Sequence, residues 1–300
     1  MDIREEILRI DNLELLAKQV VEGFITGLHK SPYHGFSVEF AEHRQYNSGE
    51  STRNIDWKLF ARSERLYVKR FEEETNLRCQ IIIDHSSSML YPEKKFNKLR
   101  YSVVAAASLM HIFRKQRDAV GLTTFSSQIE NFIPPKSSSS HHIQLLNALH
   151  QLTTEDQENA RTNVAGTLHE IAERMHKRSM VVIFSDMFDG VEDDVLFDAL
   201  QHLKFNKHEV VLFHTADYNA ELNFEFDNRP YTFEDMETGE RVKLFPNQIK
   251  ESYTNQMAAY YAKLREKCAQ YHIDYVACDI NKSMDQVLLP FLVKRQKMSV

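Results

Sequence analysis

The stretch Gln80-Ile81-Ile82-Ile83-Asp84-His85-Ser86-Ser87-Ser88-Met89 joins an apolar run to a polar loop. The apolar run does not alternate with polar residues, which is typical of a parallel strand that is buried on both faces. A second run of this kind, Met180-Val181-Val182-Ile183-Phe184, ends in Ser185-Asp186. We therefore predict that both runs are central strands of one sheet and that each carries an aspartate at its carboxyl end.

Strand and helix patterns alternate from residue 78 to the end of the chain. Further strands are predicted near 119–125, 209–215 and 273–278, with a hairpin strand at 129–133. This alternation predicts an α/β fold with a doubly wound, mostly parallel sheet that is covered by helices on both faces. If the hairpin strand is counted third, the Rossmann-like strand order 3-2-1-4-5-6 reverses between the first and fourth strands, where such sheets bind ligands.

Five oxygen-bearing side chains are expected to meet at that reversal point: Asp84, Ser86, Ser88, Thr162 and Asp186. Alternate residues of a tight loop can direct their oxygens into one pocket, and Thr162 precedes the helix that leads to the fourth strand. Thr167 is an alternative to Thr162, although it lies inside that predicted helix. Hard oxygen ligands of this kind suit Mg²⁺, with Mn²⁺ or Ca²⁺ as alternatives. The competing interpretation of Asp186, taken alone, is a helix N-cap.

The chain divides into two predicted regions. Residues 1–77 form an N-terminal helical and β-rich segment, and residues 78–298 form the sheet domain with a hairpin insertion at 219–245. Between residues 43 and 70 there are seven basic and three acidic residues, so this stretch is locally basic. We assign partner contacts to four residues, which are Arg44, Arg53, Arg62 and His85.

The sequence also predicts whether two aromatic residues and a histidine pair are buried or exposed. We expect Trp57 and Phe60 to be buried, because Ile55 and Leu59 lie among them. The pair His141-His142 follows a serine run and is expected at the surface, in a loop or the first turn of a helix.

Composition limits the partners and the cellular compartment that we expect for this chain. The 300 residues include 37 Lys and Arg against 43 Asp and Glu, a net charge of −6, which disfavours nucleic acid or an anionic membrane as a general partner. Three cysteines without a C-x-x-C pair indicate a reducing compartment. The first residues have no apolar core of a signal peptide, and no apolar stretch is long enough to cross a bilayer. We therefore expect a cytoplasmic protein without a membrane span.

Several motifs support a family resemblance. The spacing Asp84-x-Ser86-x-Ser88-Met89, with a downstream threonine and a strand-terminal Ser185-Asp186, resembles the metal-ion-dependent adhesion site of von Willebrand factor A domains. Upstream and downstream motifs are similar to those of the bacterial family called domain of unknown function 58: Glu39-Phe40, Arg44-x-Tyr46, Gly49-Glu50, Arg53-x-Ile55-Asp56-Trp57, Ala61-Arg62, Leu66-x-Val68-Lys69 and the segment 233–240. The resemblance implies a von Willebrand A-like domain and a MoxR-type AAA+ ATPase as partner, in protein assembly or maturation.

Three functional hypotheses follow. The first is a metal-dependent protein-interaction module without enzymatic activity, in which bound Mg²⁺ takes a carboxylate from a partner. The alternative is a Mg²⁺-dependent hydrolase or phosphotransferase that uses Asp84. Ser86 weakens this alternative, because phosphatases with an aspartyl nucleophile usually carry a second aspartate at that position. The third is nucleic-acid binding through the basic stretch. The sequence leaves the oligomeric state open.

Overall fold

The computed structural model describes residues 12–27, 40–46, 55–71, 77–92, 96–154, 163–188, 193–236 and 238–298. The chain forms two compact units, one of residues 1–30 and 77–300 and the other of residues 31–76. The predicted site residues Arg53 and Thr162 lie outside the described residues, and the side chain of Arg44 is not described.

The elements are numbered along the chain. The strands are β1 (Phe40–Gln45), β2 (Tyr67–Phe71), β3 (Arg78–Asp84), β4 (Ala119–Phe125), β5 (Ile129–Lys136), β6 (Met180–Ser185), β7 (Glu209–Ala216), β8 (Tyr231–Glu234), β9 (Arg241–Leu244) and β10 (Asp274–Asp279). The helices are α1 (Leu13–Gly27), α2 (Trp57–Ser63), α3 (Lys98–Lys115), α4 (Ser139–Thr154), α5 (Val164–Arg174), α6 (Asp193–Phe205), α7 (Pro246–Gln270) and α8 (Met284–Met298).

The first unit is built on a six-stranded sheet with the order β10-β7-β6-β3-β4-β5. All neighbouring strands are parallel except β5, which runs antiparallel to β4. Counted in chain order, this is the predicted order 3-2-1-4-5-6. The prediction of an α/β fold with a mostly parallel central sheet is therefore confirmed.

Helices cover both faces of the sheet, which explains why β3 is apolar without alternation. Ile81 and Ile83 pack in the core with α1, α3, α4 and α8, whereas Ile82 packs in a second core with α5, α6 and α7. All three side chains are 0% exposed. Since every position of the strand after Arg78 is buried, a continuous apolar run replaces the period of two that is seen in half-exposed strands.

The histidine pair of α4 is buried, so the prediction of a surface position was wrong. His141 and His142 are each 5% exposed. The ring of His141 donates a hydrogen bond from Nε2 to the carbonyl oxygen of Val120 at 2.9 Å. The first turn of α4 lies against β4, and this contact supplies a polar partner that the local sequence does not reveal.

The second unit contains the antiparallel pair β1–β2 and the short helix α2. Asp56 caps α2, because its Oδ1 accepts hydrogen bonds from the backbone N–H groups of Lys58 and Leu59 at 3.0 Å each. Ile55 is 6% exposed, whereas Trp57 is 59% and Phe60 37% exposed. The prediction that both aromatic residues are buried was therefore wrong. Ile55, which precedes the helix, is the buried residue here, and α2 itself has no buried residue.

The predicted insertion at 219–245 contains a hairpin. One helical turn, Tyr218–Leu222, follows β7, and β8 then pairs with β9 in antiparallel register. Gly239 in the connecting turn has a φ of 73°, a conformation that glycine adopts without strain. Among the described helices, none is long and apolar enough to cross a membrane.

Candidate metal centre

The carboxyl ends of β3 and β6 bring the two predicted aspartates to the same crevice. Ile83 and Phe184 are paired in the parallel register, so Asp84 and Ser185 come next on neighbouring strands. The Ser185 hydroxyl donates a hydrogen bond to Asp84 Oδ2 at 2.7 Å. Asp84 and Asp186 are both 0% exposed. The structure thus places both carboxyl groups where the strand order reverses, as the sequence predicts.

The loop after β3 gathers the serine hydroxyls beside Asp84. The backbone N–H of Ser86 donates to Asp84 Oδ1 at 2.9 Å, which folds the loop back over the strand end. The Oγ atoms of Ser86 and Ser88 lie 3.1 Å apart. Ser86 is fully buried and Ser88 is partly buried. Three of the predicted donors, Asp84, Ser86 and Ser88, therefore form one oxygen-rich group.

Asp186 has a partner that the sequence analysis missed. The Nζ atom of Lys98, at the start of α3, lies 2.7 Å from Asp186 Oδ2 and also forms an ion pair with Glu221. The Lys98 side chain is only 1% exposed. Asp186 Oδ1 accepts a bond from the backbone N–H of Phe188 at 3.2 Å. Asp186 therefore pairs with a buried lysine through one carboxylate oxygen and bonds to the backbone through the other. A helix cap would account only for the backbone contact.

The charges of the crevice do not balance. Burial, followed by the charge of Asp186, raises the pKa of Asp84 to about 7. Burial also raises the pKa of Glu221, although Lys98 opposes this effect. Burial alone would lower the pKa of Lys98, but Asp186 and Glu221 outweigh it and raise that pKa. Lys98 pairs with two carboxyl groups, and Asp84 adds a third whose pKa the charge of Asp186 raises, so an added divalent cation would offset the excess negative charge of the ionised crevice.

The donor set fits a hard cation only if hydroxyl oxygens take part. Within the described part of the chain, no group of three or more His, Cys, Asp or Glu side chains is arranged to hold a metal ion. Asp84 with two serine hydroxyls is the kind of oxygen set that suits Mg²⁺ or Ca²⁺. Asn163, next to the undescribed Thr162, donates its backbone N–H to the Ser126 carbonyl at 3.3 Å, just beyond β4. Thr167 is buried within α5.

Residues 42–263 match the family described as protein of unknown function DUF58. The chain belongs to the DUF58 family. Uncharacterized proteins of Mycobacterium tuberculosis strain H37Rv and of Mycobacterium bovis are each 24% identical to it over 179 residues. The match covers 60% of this DUF58 chain and 56% of each relative, so the chain spans little more than half of their length.

Two solved structures resemble this DUF58 chain. One is an aerotolerance-related membrane protein from Bacteroides fragilis with multiple mutations to serines. It has a TM-score of 0.43 and 16% identity, and the match covers 71% of this chain and 97% of that one. The other is the conserved hypothetical protein BatB from Bacteroides thetaiotaomicron. Its TM-score is 0.43 and its identity 12%, with 74% of this chain and 99% of that one covered.

The residues assigned to partner contacts lie in different surroundings in this DUF58 chain. His85 is 6% exposed, and its Nε2 lies 2.6 Å from Glu130 Oε2. Glu130 also accepts a hydrogen bond from the Ser126 hydroxyl at 2.7 Å. Arg62 is exposed on α2, in the second unit. His85 therefore links the loop after β3 to the β4–β5 hairpin, while Arg62 belongs to the other unit.

A buried histidine that bonds to the backbone of Asp186 is expected to make the stability of this chain depend on pH. His214 Nε2 donates to the Asp186 carbonyl at 2.9 Å, and Nδ1 accepts from the Tyr275 hydroxyl at 2.8 Å. Burial lowers the pKa of His214 to about 4. The unfolded chain binds this proton near pH 6.5, so we expect His214 by itself to contribute a loss of up to about 3 kcal/mol of stability as the pH falls from about 6.5 to about 4.

Urea unfolding across this pH range tests the expectation. Replacing His214→Gln keeps an N–H group but removes the titration, so the variant should lose less stability than the wild type on acidification. Equal pH slopes for the two proteins would contradict it.

Proposed function

We propose that this DUF58 chain is a metal-dependent protein-interaction module. In this proposal Asp84, Ser86 and Ser88 hold Mg²⁺, or Mn²⁺ or Ca²⁺, and the bound ion takes a carboxylate from a partner protein. The observation that carries the proposal is the pair of serine hydroxyls, 3.1 Å apart, beside the buried carboxyl group of Asp84. A hydroxyl pair at this place gives oxygen donors without further charge.

The charge of the crevice supports the same proposal. Asp84, Asp186 and Glu221 outnumber Lys98, and burial withholds the water that would otherwise stabilise the excess negative charge. A bound divalent cation would supply the compensating positive charge, and it would offer a Lewis-acidic position to an anionic group. Asp186, whose side chain is paired with Lys98, remains a proposed ligand of the ion. Thr162 remains the proposed loop ligand, with Thr167 as the alternative.

The finer assignment of fold and partner follows from the resemblance. We infer a von Willebrand A-like domain, because the Asp84-x-Ser86-x-Ser88 motif follows the central strand of a sheet with the order 3-2-1-4-5-6. A MoxR-type AAA+ ATPase is the proposed partner, in assembly or maturation of other proteins. An interaction role needs no catalytic group, and specificity would come from the loops around the metal, since a single metal–carboxylate bond is not selective.

Capture of the ATPase tests this function. The doubly substituted Ser86→Ala/Ser88→Ala chain should lose Mg²⁺-dependent capture of the MoxR-type ATPase from the same organism, by about tenfold or more, because removal of ligands weakens metal binding. Affinity can be measured by surface plasmon resonance with and without a chelator. Ser108→Ala is the matched control, since Ser108 is also buried but bonds only to the Val104 carbonyl of its own helix. Capture that persists in chelator would contradict the proposal.

A further inference from the structure

Two histidines from different helices face each other between α5 and α6. His169 lies on α5 and His202 on α6, and their Nδ1 atoms are only 2.9 Å apart. A neutral imidazole carries a proton on one ring nitrogen and a lone pair on the other, and that lone pair can accept a hydrogen bond or bind a metal ion. The two rings therefore direct potential metal-binding atoms at one point.

The packing beneath the two histidines fixes their separation. Leu168 and Leu203, the neighbours of the two histidines in the sequence, are both 0% exposed and pack in the same core. Asn206, just beyond α6, donates a hydrogen bond from Nδ2 to the Ala172 carbonyl of α5 at 3.2 Å. The two helices are thus held together by apolar packing and by a polar contact, so the approach of the rings is a property of the fold.

A carboxylate orients one of the two rings. Glu173 lies one turn after His169 on α5, and its Oε1 is 3.2 Å from Nε2 of His202. This contact assigns the proton of neutral His202 to Nε2 and leaves the lone pair on its Nδ1. Histidines that bind metal ions usually donate their other ring N–H to a carboxylate or a carbonyl group in this way. His202 therefore has both the tautomer and the partner of a metal ligand.

The distance between the ring centres fits a shared ion. Zinc binds imidazole nitrogens at about 2.0–2.1 Å in a tetrahedral arrangement, which places the centres of two bound rings roughly 5 Å apart. The ring centres of His169 and His202 are 5.1 Å apart. Each ring can therefore tilt toward a common ion while its centre, and the helix that carries it, stays in place.

The pair is accessible, and its chemistry selects the type of cation. The side chain of His202 is 27% exposed and that of Glu173 is 73% exposed, so an ion can enter from solvent. Imidazole nitrogens suit Zn²⁺, whereas Mg²⁺ and Ca²⁺ prefer oxygen ligands. Across the ranges that the structure describes, no three His, Cys, Asp or Glu side chains are arranged around one ion. Two histidine ligands thus leave coordination positions for water.

We propose that His169 and His202 bind one Zn²⁺ ion through their Nδ1 atoms, with water molecules in the remaining coordination positions. The ion replaces the proton that lies between the two Nδ1 atoms. That proton exchanges through solvent to Nε2 of His169, so both rings stay neutral. The bound ion links α5 to α6. None of the residues proposed to hold Mg²⁺ takes part, so the site goes beyond the metal-dependent capture of a partner.

Calorimetric titration with Zn²⁺ alone tests this site. The full chain carrying Asp84→Asn is titrated in excess Mg²⁺, because this background removes the crevice as a competing site and keeps both histidines. We expect one tightly bound Zn²⁺ per chain and a rise in the temperature of unfolding, since an ion that binds only the folded state stabilises it. In the same background, His202→Gln should abolish this binding event. Glu173→Ala should weaken it by about tenfold, because loss of a carboxylate that orients a metal ligand usually has an effect of that size.

Two further variants control for exposed groups nearby. His176→Gln removes an exposed histidine just beyond α5, and Glu170→Ala removes an exposed glutamate of α5 that pairs with Arg174. Both should bind Zn²⁺ as tightly as the parent chain. Cooperative urea unfolding of each variant verifies that it folds, and the exposed position of Glu173 makes Glu173→Ala the variant that perturbs the fold least. No tight uptake of Zn²⁺ by the parent chain, displacement of Zn²⁺ by Mg²⁺, or unchanged affinity in His202→Gln would overturn the proposal.

Discussion

Replacing Lys98 with methionine is expected to lower the free energy of unfolding by about 3–5 kcal/mol, because it leaves buried carboxylates without their counter-charge. The Lys98 ammonium bonds to Asp186 Oδ2 at 2.7 Å and also pairs with Glu221. Methionine is similar in length and apolar, so it fills the space in α3 but donates no hydrogen bond. Asp186, at 0% exposure, then has to fold as a buried charge or take up a proton.

Chemical denaturation measures this effect, and two comparisons make it specific. Lys294→Met removes an exposed lysine that pairs with Asp274, and it should cost less than about 1 kcal/mol, since surface ion pairs contribute little. In the Lys98→Met background, the further change Glu221→Gln should restore part of the loss, because it removes one of the stranded charges. If Lys98→Met costs no more than Lys294→Met, the crevice is not the tightly paired group described above.

The strand order could be predicted because local pattern determines it. Runs such as Ile81–Ile83, which lack alternation, indicate strands covered on both faces, and the usual topology of alternating strands and helices then gives the order. The oxygen-rich group in the loop after β3 could also be predicted from local pattern, because Asp84, Ser86 and Ser88 lie within five residues of the sequence. Local spacing is sufficient there, because the Ser86 N–H bonds directly to Asp84.

Contacts between distant residues could not be predicted in this way. Lys98 lies 88 residues from Asp186 and 123 from Glu221 along the chain, so no spacing in the sequence joins them. A lysine at the start of a helix is also usually exposed. The position of Trp57 was predicted wrongly because local sequence was given too much weight. Its apolar neighbours suggested a core, but Ile55 is the buried residue, and the aromatic side chains of α2 face water.

The second large effect concerns Asp84. Asp84→Asn should abolish the stabilisation of the fold by Mg²⁺, because the substitution removes the charged ligand at the centre of the oxygen group. A ligand that binds only the folded state stabilises it in proportion to RT ln(1 + [L]/Kd), so saturating Mg²⁺ at a hundred times Kd should add about 2.7 kcal/mol to the wild type. The variant should gain nothing from Mg²⁺.

The same substitution should stabilise the metal-free chain. Burial and the charge of Asp186 raise the pKa of Asp84, so its ionised form is unfavourable in the fold at neutral pH. Asparagine removes that charge, while its side-chain oxygen can still accept the Ser86 N–H. Asp118→Asn is the matched control. Asp118 Oδ1 accepts the Leu77 N–H at 3.0 Å just before β4, at the amino end of the strands and thus at the end opposite Asp84. The Asp118→Asn chain should keep its response to Mg²⁺ when thermal unfolding is followed.

Calorimetric titration of the full chain with Mg²⁺ tests the central claim most directly. We expect saturable uptake of one ion per chain by the wild type and by Asp118→Asn, and no uptake by Asp84→Asn. An absence of uptake by the wild type, or equal uptake by Asp84→Asn, would contradict a cation site at the crevice between β3 and β6.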